Sequence, residues 1–232
     1  MKKGSETIEL RDKIFGLFTE KLSVYGFKLK NKREIIKKCN NGFVQKICYI
    51  GNIDKIDKRI YTTLDLNVYN TKVDKLVAQF TDFNIPWPIL NIGYLMPCKF
   101  YNQWSISTED DIPNKIDNII TNIVEYGIPF MDNFSNDNTI INTLEEHPYI
   151  GIQIKAYLLP LMYYLYINNK GMALNCIAYY TNMYKISFEK KHNNDDCFWN
   201  IPLSSEEDKD SIIYENYVKV LKKMMEEGRT LE

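Results

Sequence analysis

At 232 residues the chain is long enough to bury a substantial core, as one domain or as two unequal lobes. Its 45% hydrophobic and 25% charged residues are those of an ordinary globular protein and exclude a disordered or low-complexity chain. The formal net charge of −1 hides an asymmetry: residues 1–60 carry fifteen Lys and Arg against seven Asp and Glu, a net of +8, whereas residues 61–232 carry fourteen against twenty-three, a net of −9.

Residues 7–25 have the pattern of an amphipathic helix. Leu10, Ile14, Leu17, Phe18, Leu22 and Tyr25 recur at three- and four-residue steps, and Gly26 follows as a terminator. Strand-like segments come next. Phe27 to Cys39 alternates loosely and is broken near Asn31. Asn40-Asn41-Gly42 is a turn signal, because Asn and Gly tolerate positive φ at both central positions. Phe43 to Ile50 follows. Ile60 to Tyr69 alternates most clearly, with Ile60, Thr62, Leu64, Leu66 and Val68 on one side and Tyr61, Thr63, Asp65, Asn67 and Tyr69 on the other. These segments predict an antiparallel meander with one solvated face.

A helix is expected over 71–83, with Val73, Leu76, Val77 and Phe80 inward, then a rigid Ile85-Pro86-Trp87-Pro88 connector. Ile89 to Leu95 and Phe100 to Ser107 read as strands. A helix over 111–126 opens on acidic residues with Pro113 in its first turn, and Gly127 is expected to end it. Beyond residue 128 the pattern turns helical: 130–134, 139–146, an apolar Ile152 to Asn168 kinked at Pro160, and Met172 to Tyr184. A polar loop over 188–202 precedes a capping box, Ser204 with Glu207, that opens a last helix. The fold class is α+β: an antiparallel four- to five-stranded sheet flanked by the helices at 7–25, 71–83 and 111–126. It divides into a sheet domain, 1–127, and a helical lobe, 128–232.

The order of helix, turn and strands resembles the bacterial domain-of-unknown-function family numbered 4304. The likeness rests on Leu22, Tyr25-Gly26-Phe27-Lys28, Gly42-Phe43-Val44-Gln45, Thr63 to Val68, Gln103-Trp104 and Tyr126-Gly127-Ile128-Pro129-Phe130, and it covers roughly residues 8–135. It implies a bacterial α+β domain without an established activity, of the kind that includes small cytoplasmic accessory or immunity-type binding proteins. It offers no catalytic residues. The chain departs from the family in the basic segment Arg33 to Cys39 and in an inserted polar turn, Ile53 to Arg59.

Chemical motifs are sparse. Cys39, Cys48, Cys98, Cys176 and Cys197 are scattered and odd in number, which points to free thiols in a reducing compartment. No apolar segment follows the basic amino terminus, and the longest apolar run, Ala156 to Ile167, is short of the roughly twenty residues that span a bilayer. A cytoplasmic protein is expected. The only histidines are His147 and His192; His192 to Cys197 gathers ligand-type residues, but a zinc site draws on two segments and no second is visible. Cys48 and Cys176 fall on expected core faces, where thiols are inert. Glycine-rich phosphate loops are absent, and paired carboxylates such as Asp110-Asp111 sit where caps and solvated loops explain them. No cofactor, metal site or catalytic residue is therefore assigned.

One cluster has functional reach. Lys28, Lys30, Lys32, Arg33, Lys37 and Lys38 fall within eleven residues, beside Tyr25 and Phe27. The plainest reading is an edge strand protected from pairing by lysine. The cluster could instead dock an acidic protein, or grip a phosphate backbone with help from the aromatics. Trp87 between prolines is a candidate recognition aromatic, and Trp104 a core one. The leading expectation is a non-catalytic protein-binding protein, of immunity type. The alternatives are a nucleic-acid-associated protein using residues 28–38, and an enzyme of unrecognised type.

Overall fold

The period-two alternation of residues 43–70 becomes the long hairpin at the centre of an α+β fold. The structure is a computed structural model that describes residues 4–54, 56, 57, 59–80, 87, 89–146, 159–169, 171–173, 175 and 178. The chain divides into two units, Met1–Asn70 with Pro88–Ile140, and Thr71–Trp87 with Ile141–Glu232.

In the first unit, α1 (Gly4–Ser23) leads into β1 (Lys28–Asn31), β2 (Glu34–Lys38), β3 (Phe43–Ile53) and β4 (Ile60–Asn70). Two short strands, β5 (Ile89–Asn91) and β6 (Trp104–Ile106), both pair with β4. The order is β1-β2-β3-β4-β5, with β6 on β4, and every pairing is antiparallel. The sheet thus has six strands rather than four or five. The extra one arises at the break near Asn31, whose Oδ1 accepts the backbone N–H groups of Arg33 and Glu34 and folds the segment back as a hairpin. The other turns follow the sequence closely. Gly26 has φ +84° after the end of α1, and Asn41 and Gly42 have φ 61° and 89° between β2 and β3. In the Ile53–Arg59 turn, Asp54 accepts the backbone N–H groups of Ile56 and Asp57.

Register decides which side chains are buried. Phe43 faces Asn70 and Ile53 faces Ile60, so Phe43, Gln45, Ile47 and Tyr49 share a face with Thr62, Leu64, Leu66 and Val68. Ile35, Trp104 and Ile106 join them, and all are buried. Against this face α1 brings Ile14, Phe18 and Leu22, and the rings of Phe15 and Phe18 lie 5.1 and 5.9 Å from that of Tyr49. Each such large apolar side chain contributes about 1.5–3 kcal/mol by leaving water. Tyr25, expected on this face, lies past the helix end and is exposed.

The helix predicted to stop at Gly127 does not stop there. α3 (Ile112–Asn122) widens into a π-helical turn, Ile123–Gly127, and continues as α4 (Ile128–Phe134). Pro129 has no N–H, and in a regular helix its ring would press on the carbonyl of Glu125; the wider turn absorbs both problems. Gly127 serves close packing instead: a Cβ there would lie 3.3 Å from Leu66 Cδ1 and from Ile92 Cδ1. Two ion pairs tie α1 to this helical layer, Lys13 to Glu109 at 2.8 Å and Lys21 to Asp117 at 2.7 Å. Part of the charge asymmetry is therefore internal.

The strands expected over 89–95 and 100–107 shrink to three residues each because Asn91 fastens the chain between them. Its Oδ1 accepts the N–H groups of Gly93 and Asn102 at 3.0 and 2.9 Å, and its Nδ2 donates to Asp65 at 3.3 Å. The resulting loop turns so tightly that a Cβ on Gly93 would lie 2.2 Å from the carbonyl oxygen of Phe100.

The described residues of the second unit are largely helical. α2 (Thr71–Phe80) buries Val73 and Val77, and α6 (Leu159–Tyr166) buries Leu161, Met162, Tyr163 and Tyr164. α5 (Asp137–Glu146) spans the division at residues 140 and 141. Trp87 is buried, donates from Nε1 to Asp74 at 2.7 Å and meets the Tyr163 ring edge-on at 6.5 Å. The 188–202 loop, the Ser204 capping box, the last helix and the residues that would show a kink before Pro160 lie outside the described residues.

Two glycines should respond to alanine with opposite signs. Gly93→Ala must displace the backbone of Phe100 and Asn102 and should cost about 2 kcal/mol or more. Gly16→Ala, within α1 and with open space at its Cβ position, should stabilise by about 0.5–1 kcal/mol. Urea unfolding followed by tryptophan fluorescence measures both.

Candidate functional site

The six cations of the 28–38 segment do not act as one group. Lys28 and Lys30 lie on β1, Lys32 and Arg33 form the hairpin turn, and Lys37 and Lys38 end β2. Lys28 pairs with Ile36, which puts Lys28 and Lys38 on the face opposite the core together with Glu34. Lys37 pairs with Gln45 and so falls on the core side. Its Nζ sits 3.4 Å from Asp132 Oδ1 and 5.8 Å from the centre of the Phe27 ring. Lys37 therefore leaves the surface cluster, for the reason of strand alternation. Phe27 is buried and offers no exposed ring beside the cations.

Lys30 is also engaged. Its Nζ lies 3.3 Å from Glu34 Oε2, while Lys46 reaches Glu34 Oε1 at 3.2 Å and Asn31 Nδ2 donates to Oε2 at 2.7 Å. Burial alone would raise the Glu34 pKa. The hydrogen bond and charge of Lys46, with the bonds from Lys30 and Asn31, outweigh it and hold the carboxyl below its ordinary value. That leaves Lys28, Lys32, Arg33 and Lys38, all exposed and, among the described residues, without an ion pair. They are spread along the outer hairpin of the sheet.

Cys48 is not on the core face. It alternates with Ile47 and Tyr49 and points the other way, opposite Glu34 on one side and Asp65 on the other. Burial pushes its pKa up; Glu34 and Asp65 add to this, while Lys46 and Lys30 oppose it. Such a thiol is a weak nucleophile at neutral pH. Cys176, Cys197, His147 and His192 lie outside the described residues. Among the described residues no three His, Cys, Asp or Glu side chains gather to hold a metal ion. No described helix is long and apolar enough to cross a membrane. Neither Trp87 nor Trp104 is a recognition aromatic: Trp87 is buried, and Trp104 is buried with its Nε1 donating to Asn118 at 2.9 Å.

Sequence reasoning missed two features. Gln45 is fully buried among apolar residues, where its Nε2 donates to Asp132 Oδ1 at 2.7 Å and Ser135 Oγ at 3.1 Å. Only the break in an otherwise apolar inward series at Gln45 signalled it. The loop fastened by Asn91 presents Tyr94, Phe100 and Tyr101 exposed. Its signal was Asn91 two residues before Gly93, a local Asx-turn spacing. No protein-family model, curated protein or solved structure matches the chain.

The lowered pKa of Glu34 has a defined consequence for stability. A carboxyl lowered in the folded state stabilises it above the unfolded pKa, and this is lost as pH falls from about 4.5 through the lower folded value. Glu34→Gln should abolish that component. The gap in urea midpoint between wild type and variant should be widest near neutrality and narrow over that acidic range.

Proposed function

We propose that the chain is a non-catalytic bacterial cytoplasmic protein, kin to the 4304 family, that binds an acidic protein partner through its outer hairpin in the manner of an immunity protein. The observation that carries this reading is the cationic charge the fold leaves uncompensated. Lys13, Lys21, Lys37, Lys30 and Lys46 are taken up by Glu109, Asp117, Asp132 and Glu34. Lys28, Lys32, Arg33 and Lys38 remain, and an acidic surface would relieve their mutual repulsion. A nucleic acid is favoured less, because a base-stacking platform needs several exposed rings and, of the two aromatics beside the cations, Tyr25 is exposed but Phe27 is buried beneath Lys37. The enzyme reading loses Cys48 as an activated nucleophile. The residues of the family likeness fit structural roles: Tyr25-Gly26-Phe27 turns the corner from α1 to β1, and Gly42-Phe43 opens β3.

Affinity capture from the lysate of the source cell, with and without nuclease, compares wild type with the K28E/K32E/R33E/K38E variant. The expected result is a protein retained by wild type after nuclease and lost by the variant. Recovery of nuclease-sensitive nucleic acid, or an identical set of proteins on both baits, overturns the proposal.

A further inference from the structure

Resting on that reading, we infer that the partner is held as an added strand: an extended segment alternating carboxylate and apolar side chains pairs with the outer edge of β1. β1 ends the sheet order and, among the described residues, pairs only with β2. All four of its residues are exposed. The two sides of this edge differ in chemistry. Lys28 lies on the face of Ile36, and the ammonium of Lys30 reaches Glu34 on the same face. Leu29 stands across from Ile35, which is fully buried, yet Leu29 itself is 57% exposed. The rim of the core thus ends in an uncovered apolar side chain.

A strand laid along β1 turns its side chains alternately to these two faces. Carboxylates on one face meet Lys28 as a cross-strand opposite charge, Lys30 being held by Glu34, and apolar side chains on the other cover Leu29. Lys32 and Arg33 add exposed positive charge at the hairpin turn.

The same edge rejects other occupants. A second copy of β1 would set lysine against lysine, which is destabilising directly across a ladder. The register shift between Leu29 and Asn31 is a bulge that confines regular pairing to a few residues. Backbone bonds alone therefore hold little, and charge must supply the selection.

The test uses the full chain and a synthetic peptide of alternating glutamate and valine with blocked ends. The comparison probes are the same peptide N-methylated along the edge that would face β1, its lysine–valine counterpart, and oligodeoxythymidylate. Calorimetry reads affinity, and amide hydrogen exchange reads protection of residues 28–31. The glutamate–valine peptide should bind and slow exchange there. N-methylation should weaken it about tenfold or more, because the ladder bonds are lost while the charge is kept. Lys28→Glu should weaken it about fivefold, and the lysine–valine peptide should not bind. Equal affinity for the N-methylated peptide overturns strand addition and leaves the acidic-partner reading standing. No binding of any peptide also overturns strand addition. Binding of oligodeoxythymidylate with the peptides inert overturns both.

Discussion

The pairing of β3 with β4 is the constraint on which the first unit depends. The two strands match residue for residue from Phe43–Asn70 to Ile53–Ile60. A slip of β3 by one residue against β4 would turn Ile47 and Tyr49 to the polar face and bring Lys46 and Cys48 into the core. Burying those groups without partners costs far more than any surface interaction in the molecule returns. The register therefore has no near competitor, and the turn in which Asp54 accepts the backbone N–H groups of Ile56 and Asp57 joins the two strands at its closed end.

From that register follow both faces of the sheet. The inner face accepts α1, α3 and α4, and among its buried polar residues Gln45 donates its amide N–H groups to Asp132 and Ser135. The outer face gathers Glu34 between Lys30 and Lys46, with Cys48 beside them. Where the helical layer comes close to the sheet the chain has glycine, Gly127 against Leu66, whereas Gly93 lets the loop after β5 close on the backbone of Phe100. The π-helical turn is the companion of the first of these, since it carries the helix past Pro129 while keeping Gly127 against the sheet.

Charge is distributed with a similar division of labour. The basic amino-terminal third and the acidic segment around 109–132 meet in exposed ion pairs that add at most about 1 kcal/mol each. Their value lies more in matching α1 and β2 to the helices beside them than in stability. Four of the cations they leave over, Lys28, Lys32, Arg33 and Lys38, lie on the outer hairpin, at the margin of the sheet where β1 has a single neighbour. Uncompensated charge, an exposed leucine and an open strand edge coincide there, and the proposed function draws on all three.

Much of this was legible in the sequence. Period-two alternation showed β4 and its two faces, Gly26 and Asn41-Gly42 marked the turns, and the apolar steps of Ile112, Ile116 and Ile119 marked α3, because each of these is a local consequence of backbone geometry. The same sequence listed six cations as one cluster. Only the tertiary structure separated them, since cross-strand register sent Lys37 inward to Asp132, ninety-five residues away, and brought Lys46 to share Glu34 with Lys30. The length of β5 and the fate of the helix at Gly127 were decided in the same way, by Asn91 reaching Asn102 and by Leu66 lying under the glycine. Local propensity determined where the elements are; contacts between residues distant in the chain decided which of their side chains remain available to a partner.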